Sequence, residues 1–249
     1  METAHLEYHY RLKTSDTVIV FIHGIQGSPL QFDYLIKKLH GTYSIENLLL
    51  PGHGKTMKAF IKSNINQWQN YVDERINLLE KDYENIILVG HSMGCLLSVQ
   101  SALSYPQKIR GLYLIAMPLN IHVTYAYIKN NILIAFSKGE KNDVITAARK
   151  GNSTSVSNPF EYLTGIPRYI ELLRKCKLTR VLIKRLQLPI VIVQSETDEI
   201  VSNKSLQHVE NRQNIRVITA KASGHYYYSY EAQEQISQSL EDFIVTSRQ

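Results

Sequence analysis

The stretch Asn85–Tyr105, NIILVGHSMGCLLSVQSALSY, constrains this chain more than any other. An apolar run, Ile86-Ile87-Leu88-Val89, ends in Gly90-His91-Ser92-Met93-Gly94, and a helix-like segment with Cys95, Leu96, Leu97, Val99, Ala102 and Leu103 follows at once. That order predicts a strand, a very tight turn and a helix. The spacing G-x-S-x-G suits such a turn, because strand end and helix start come so close that a Cβ at either glycine would collide. Ser92 is then pushed out on a strained corner near a helix N-terminus, where its hydroxyl can meet a base from another loop. A serine so placed reads as a nucleophile. Read blandly, the same residues are only a glycine-rich connection.

The remaining chain supplies the same alternation. Thr17–Ile22 (TVIVFI) is a continuous apolar run, as expected of a strand covered on both faces in a parallel sheet. His5–Leu12 alternates in character and predicts an edge or hairpin strand, and Pro29 opens a helix to about His40. Ser44–Leu50 predicts a strand, Asn66–Tyr83 a helix, and Ile109–Met117, Leu188–Gln194 and Asn214–Thr219 three further strands before a closing helix over Tyr230–Val245. Between Pro118 and Gln187 lie about seventy residues with helical periodicity and no clear strand, too long for a simple crossover. The expectation is one α/β core built from 1–117 and 188–249, with 118–187 inserted as a helical cap over the sheet's C-terminal edge, where open parallel sheets bind ligands.

A serine hydroxyl is too weak an acid to attack an acyl carbon unaided and needs a histidine base oriented by a carboxylate. Among nine histidines, His225 is best placed, since Ala222-Ser223-Gly224-His225 follows the last strand and falls on the same sheet edge as Ser92. His23 and His53 also sit in strand-end loops, but each precedes a glycine in what reads as a backbone-shaping turn. His91 adjoins the nucleophile with its side chain expected to point elsewhere. His5, His9, His40, His122 and His208 read most simply as surface residues. The acid is sought in Ser195-Glu196-Thr197-Asp198-Glu199-Ile200-Val201: Asp198 is favoured, a few residues past the strand, with Glu196 and Glu199 in reserve. An oxyanion hole would take the Met93 N–H and an N–H from the loop after the first long strand, for which Ile25 is the nominee.

Composition narrows the field. Forty-four per cent hydrophobic and 20% charged residues are globular values, and two cysteines in apolar segments, Cys95 and Cys176, suggest neither a disulfide framework nor a zinc site. No cofactor or metal is expected. The N-terminus carries no cationic-then-apolar pattern and no apolar run approaches about 18 residues, so a cytoplasmic protein is expected. The net charge of +6 concentrates between Arg168 and Arg185, where seven basic residues face one acid, Glu171. A solvated helix face is the simplest reading of that segment; a basic rim for an anionic substrate or a weak contact with an anionic membrane surface is the other. No nucleic-acid motif accompanies the charge.

HGIQGSP, LLLPGHG, GHSMG, the SETDEIV loop and SGH together resemble the α/β-hydrolase superfamily, and within it the bacterial carboxylesterase and monoacylglycerol lipase branch, from about Thr17 to the C-terminus. The resemblance implies a mostly parallel sheet with helices on both faces and an inserted cap. It also implies Ser92, Asp198 and His225 as nucleophile, acid and base, in the chain order usual for that fold. Ile25 then provides the oxyanion amide where the family often has an aromatic residue, a departure that alters the pocket wall and not the amide. The implied reaction is hydrolysis of short or medium acyl esters or monoacylglycerols through an acyl-enzyme. An acyl-thioesterase using the basic cap segment, or a non-catalytic receptor or scaffold of the same fold, are the alternatives. Tyr125, Tyr127, Ile128, Ile132, Leu133, Phe136, Phe160 and Tyr162 are candidates for an apolar acyl pocket, equally suited to packing. Tyr226, directly after the histidine, either crowds the site or packs under the cap.

Overall fold

Two-sided burial organises the molecule, and each central strand shows it residue by residue. In β2 (Thr17–Ile22), Val18, Val20 and Ile22 enter one core layer while Ile19 and Phe21 enter the other. In β4 (Asn85–His91), Ile86 and Leu88 divide from Ile87 and Val89 in the same way. Alternate side chains leave opposite faces of a strand, so a run apolar at every position is stable only with helices on both sides. The computed structural model describes residues 5–122, 143–155 and 160–248.

Seven strands form one sheet in the order β1-β3-β2-β4-β5-β6-β7, with β1 (Tyr8–Tyr10), β3 (Ser44–Leu48), β5 (Ile109–Ile115), β6 (Ile190–Ser195) and β7 (Ile215–Ala220) completing the set. Every pairing is parallel except β1 with β3, so the N-terminal segment is an edge strand and not a hairpin. The helix expected from Pro29 begins as a 3-10 turn, Pro29–Phe32, before α1 (Asp33–Leu39).

One face of the sheet is covered by α3 (Ile65–Leu79) and α4 (Met93–Ser104), through Trp68, Val72, Ile76, Leu96 and Leu97. A capping box fixes the start of α3: Asn64 accepts from the N–H groups of Asn66 and Gln67, and the Gln67 side chain accepts from the Asn64 N–H. The short α2 (Met57–Phe60) precedes it. The other face is covered by α1 and α8 (Tyr230–Ser247), through Leu35, Leu39, Ile236, Leu240 and Phe243.

Between β5 and β6 the described residues form α5 (Asp143–Gly151), α6 (Glu161–Thr164) and α7 (Ile166–Leu182) and no strand. α7 seats Leu172 and Cys176 in the layer containing α3 and α4. Residues 152–155 and 121 instead form isolated bridges to the core, Asn152 with Gly27, Ser155 with Thr56 and Ile121 with Val201. No helix among the described residues is long and apolar enough to cross a membrane.

Candidate active site

Strand β4 runs straight into α4, and the only residue between them, Ser92, has φ +52° and ψ −119°. This is a sparsely populated conformation for a residue with a Cβ, held here by its surroundings. A Cβ on Gly90 would lie 2.6 Å from the Cys95 nitrogen, and one on Gly94 would collide with the carbonyl oxygen of Ile22. The Ser92 N–H donates to the Ile115 carbonyl at 2.9 Å, anchoring the corner to β5.

Asp198 and His225 arrive at this corner from the loops after β6 and β7. The His225 Nδ1–H donates to the Asp198 carboxylate, 3.0 Å from Oδ2 and 3.1 Å from Oδ1, with both side chains almost wholly buried. Asp198 Oδ1 also accepts from the Ile200 and Val201 N–H groups at 2.9 and 2.7 Å. Burial alone would raise the Asp198 carboxyl; the His225 ring and these N–H donors outweigh it and hold the group below its ordinary value. With its proton on Nδ1, the imidazole keeps the Nε2 lone pair for another partner. No hydrogen bond joins that nitrogen to Ser92 Oγ among the described residues.

The reserve carboxylates occupy other posts. Glu199 Oε2 accepts from the His225 backbone N–H at 2.7 Å, and Glu196 reaches only the Ala222 N–H at 3.5 Å. Asp198 alone of the three meets the imidazole.

The loop 23–27 lies against Ser92: a Cβ on Gly24 would be 3.0 Å from Ser92 Cβ and 3.5 Å from its Oγ. Gln26 turns this loop with φ +52°, and Gly27 N–H closes it on the Gly24 carbonyl at 2.9 Å. Both histidines of the neighbouring turns serve it as neutral rings. His23 donates from Nδ1 to the Gly24 carbonyl at 2.8 Å and accepts the Leu50 N–H at Nε2; His53 accepts the Gln26 N–H at Nε2, 3.1 Å away. Burial, followed by the proximity of His53, holds His23 well below the ordinary histidine value, and burial brings His53 to about 4. Neither ring has a free basic nitrogen, which agrees with their reading as turn-shaping residues.

The contacts that three residues make at this site were invisible in the sequence. Ser153 donates from Oγ to the Gly27 carbonyl at 2.5 Å and from its N–H to the Gln26 carbonyl at 2.8 Å. The Tyr169 hydroxyl of α7 donates to Gln26 Oε1 at 2.8 Å. His122, read as a plain surface residue, donates from Nε2 to the Asp198 carbonyl at 3.0 Å, so it buttresses the Asp198 loop although much of it is exposed. The short pattern linking residue 122 to that loop continues through His122 N–H to the Ile200 carbonyl.

Of the pocket candidates, Tyr125, Tyr127, Ile128, Ile132, Leu133 and Phe136 lie outside the described residues, as does the side chain of Tyr162. Phe160 is 76% exposed. Tyr226 stands edge-on to the His225 ring, centroids 4.9 Å apart at 87°, and packs against Gly151 at the end of α5. It therefore bridges the histidine and the inserted segment. Among the described residues no group of three or more His, Cys, Asp or Glu side chains is arranged to hold a metal.

A parallel sheet flanked by helices, with a strained serine at the end of its central strand and a histidine–carboxylate pair at the same edge, defines a class of α/β proteins with a nucleophile-elbow turn. The chain belongs to the alpha/beta hydrolase fold family, whose model matches residues 17–143, just over half of it. Among curated relatives, a hydrolase of Bacillus subtilis, YugF, is 34% identical over 100 residues, covering 40% of this chain and 36% of that protein. The chain spans only about a third of the length of the first curated relatives it matches. Two solved structures match almost end to end. A metagenome-derived lipolytic enzyme from the LipS and LipT study has a TM-score of 0.77 at 19% identity, covering 98% of each chain. The monoacylglycerol lipase of Paleococcus ferrophilus has a TM-score of 0.70 at 16% identity, covering 97% of this chain and 99% of the other. At such identities these two likenesses speak for the fold.

Proposed function

We propose that this chain is a serine hydrolase that cleaves carboxylic esters, of short or medium acyl chains or monoacylglycerols, through Ser92, His225 and Asp198. The observation that carries the reading is the buried bond from His225 Nδ1 to Asp198, which leaves Nε2 as the basic nitrogen at the sheet edge where Ser92 sits on its strained turn. His225 Nε2 takes the Ser92 proton as Oγ bonds to the ester carbonyl carbon, and Asp198 stabilises the imidazolium. The tetrahedral oxyanion is received by the N–H groups of Ile25 and Met93; the alcohol leaves with the proton from His225, and water repeats the sequence to free the acid. The lipolytic enzyme and the monoacylglycerol lipase that share the fold lend this choice of substrate class further support. Residues 118–187 are proposed as the cap that shapes the acyl pocket, with Tyr226 at the junction and with Tyr125, Ile128 and Phe136 as its apolar lining.

Purified protein is expected to hydrolyse p-nitrophenyl acyl esters and to be labelled by a fluorophosphonate. Ser92→Ala is expected to lose both, the rate falling by about 10⁶. Hydrolysis by Ser92→Ala at the wild-type rate would refute the reading, and a wild-type protein that neither hydrolyses nor labels would favour a non-catalytic scaffold.

A further inference from the structure

Helix α7 is buried on one side and, among the described residues, exposed on the other, and the exposed side has an unusual composition. Ile166, Ile170, Leu173, Leu178 and Val181 are 44–64% exposed, on a helix whose opposite side seats Leu172, Cys176 and Thr179 in the protein. At 100° per residue these five fall within a single arc of the helix. The same arc carries Arg174 and Lys177, and the following turn adds Lys184 and Arg185, all four exposed. No acid interrupts it. The one carboxylate of the segment, Glu171, is turned away, paired with Arg168 at 2.7 Å and accepting the Ile65 N–H at 3.1 Å.

Aliphatic side chains and cations mixed on one face, without acids, match one kind of partner especially well. We infer that this face of α7 docks on the surface of an anionic lipid bilayer, its aliphatic residues entering the headgroup boundary while the basic residues reach back to the lipid phosphates. Charge decides against a second copy of this chain as occupant, since two such faces would bring like charges together across an apolar contact. An ordinary solvated face would not expose five aliphatic residues in one arc. Docking also has a route to the site, because Tyr169 on the flank of α7 holds Gln26 in the loop beside Ser92. The inference stands whether or not the ester chemistry proposed above is right.

The test uses the full chain as Ser92→Ala, so that no lipid is consumed, in co-sedimentation with vesicles of phosphatidylcholine alone or with about one-third phosphatidylglycerol. Binding is expected to be at least about tenfold tighter to the anionic vesicles and to fall as salt is raised from about 0.1 M to 0.5 M. Arg174→Gln with Lys177→Gln should weaken it by about 20-fold, and Ile170→Ser with Leu173→Ser should weaken binding while circular dichroism reports an unchanged fold. In the wild-type background, either pair should leave hydrolysis of a water-soluble short-chain ester unchanged. Equal binding to both vesicles, binding to neither, or anionic binding indifferent to both pairs would overturn the inference. So would a concentration-dependent dimer that Ile170→Ser with Leu173→Ser abolishes in the absence of lipid. Loss of ester hydrolysis by the wild-type protein would count against the proposed function alone, because vesicle binding is read separately.

Discussion

His91 donates from Nε2 to the backbone carbonyl of His225 at 2.9 Å, the two rings lying 4.9 Å apart. The residue before Ser92 therefore holds the main chain of His225, 134 residues away in sequence. Burial, then the nearby His225, depresses the His91 ring to about 3, so it stays neutral and keeps its proton on Nε2 through the working range of pH. His91 borders a small cavity that Gln31, Tyr34 and Tyr228 also line, and among the described residues the His91 Nδ1, the Gln31 amide and the Tyr34 hydroxyl have no hydrogen-bond partner. His91→Phe removes the donor and leaves a buried carbonyl unpaired, a loss of about 1–3 kcal/mol in stability. Ester kinetics should show kcat reduced by about tenfold or more with KM little changed, because the base is misplaced and the substrate contacts are not. An unchanged kcat in a destabilised variant would make His91 a packing residue only.

His23 and His53 make acid sensitivity a property of the 23–27 loop. Each accepts a backbone N–H at Nε2, and a proton there would set two donors face to face. The folded protein therefore resists protonating them, while the unfolded chain takes up protons below about 6.5. Stability from this source is complete above that value and declines as pH falls toward about 4, by about 3 kcal/mol for His53 alone. Urea midpoints measured between pH 7 and about 4 should fall accordingly. His53→Asn should start lower and show a shallower decline, since it lacks the titrating group. Asp198, whose folded carboxyl is depressed, adds a loss only at more acid pH, as it is protonated below its ordinary range.

The loop has a second set of restraints from the inserted segment. Ser153→Ala frees the Gly27 carbonyl and leaves the Gly54 N–H without its 3.0 Å acceptor, and Tyr169→Phe releases Gln26. If the Ile25 N–H receives the oxyanion, loosening the loop should lower kcat more than it raises KM. A full oxyanion donor is worth on the order of 10²–10³ in rate, so a partial displacement should cost about tenfold. Steady-state kinetics of both variants, with thermal melts to exclude global unfolding, check this. An effect confined to KM would place these residues at the substrate and not at the oxyanion.

The strands were legible because TVIVFI and NIILVG can be satisfied only between two helix layers, and the family motifs sit where those strands end. Boundaries failed where single residues break the ladder. The strand expected to reach Met117 stops at Ile115 because Ala116 takes φ +52°, and the one expected to reach Leu50 stops at Leu48, with the Leu50 N–H given to His23. Asp198 could be preferred over Glu196 and Glu199 by its position, but the use of Glu199 to hold the His225 backbone could not be read at all. His122 with Asp198, Ser153 with Gly27 and Tyr169 with Gln26 are separated by 76, 126 and 143 residues. Such pairs depend on how the inserted segment returns to the sheet, and no local periodicity carries that information.

Lys175 is a polar group buried where α7 meets α3 and α4. Its ammonium donates to Gln69 Oε1 at 3.2 Å and to Gln100 Oε1, with Asp73 reached only through Gln69. Burial draws it down to about 8 despite the attraction of Asp73. Between about 8 and 10.5 the unfolded chain binds the proton that the folded chain gives up, so this group makes stability rise with pH over that window. Lys175→Met replaces a poorly compensated charge with an apolar chain of similar length, and the expected result is neutral or stabilising by about 1 kcal/mol. Denaturant melts at pH 7 and 10 check both parts: the rise present in the wild type should be reduced in the variant.

The neighbouring carboxylates Asp198 and Glu199 permit a sharper assignment than removing the serine does. Asp198 meets the ring of His225, whereas Glu199 accepts only its backbone N–H. Asp198→Asn keeps the shape but replaces the charge that orients and stabilises an imidazolium, and a change of this kind costs about 10⁴ in kcat. Glu199→Gln retains an oxygen able to accept the same N–H, so its rate should fall by less than about tenfold, while Glu199→Ala removes the acceptor and should cost stability of about 1–3 kcal/mol. The comparison is made in one buffer with one soluble ester. A loss in Glu199→Gln equal to that in Asp198→Asn would transfer the role of acid to Glu199 and require the imidazole to turn from the partner it has here.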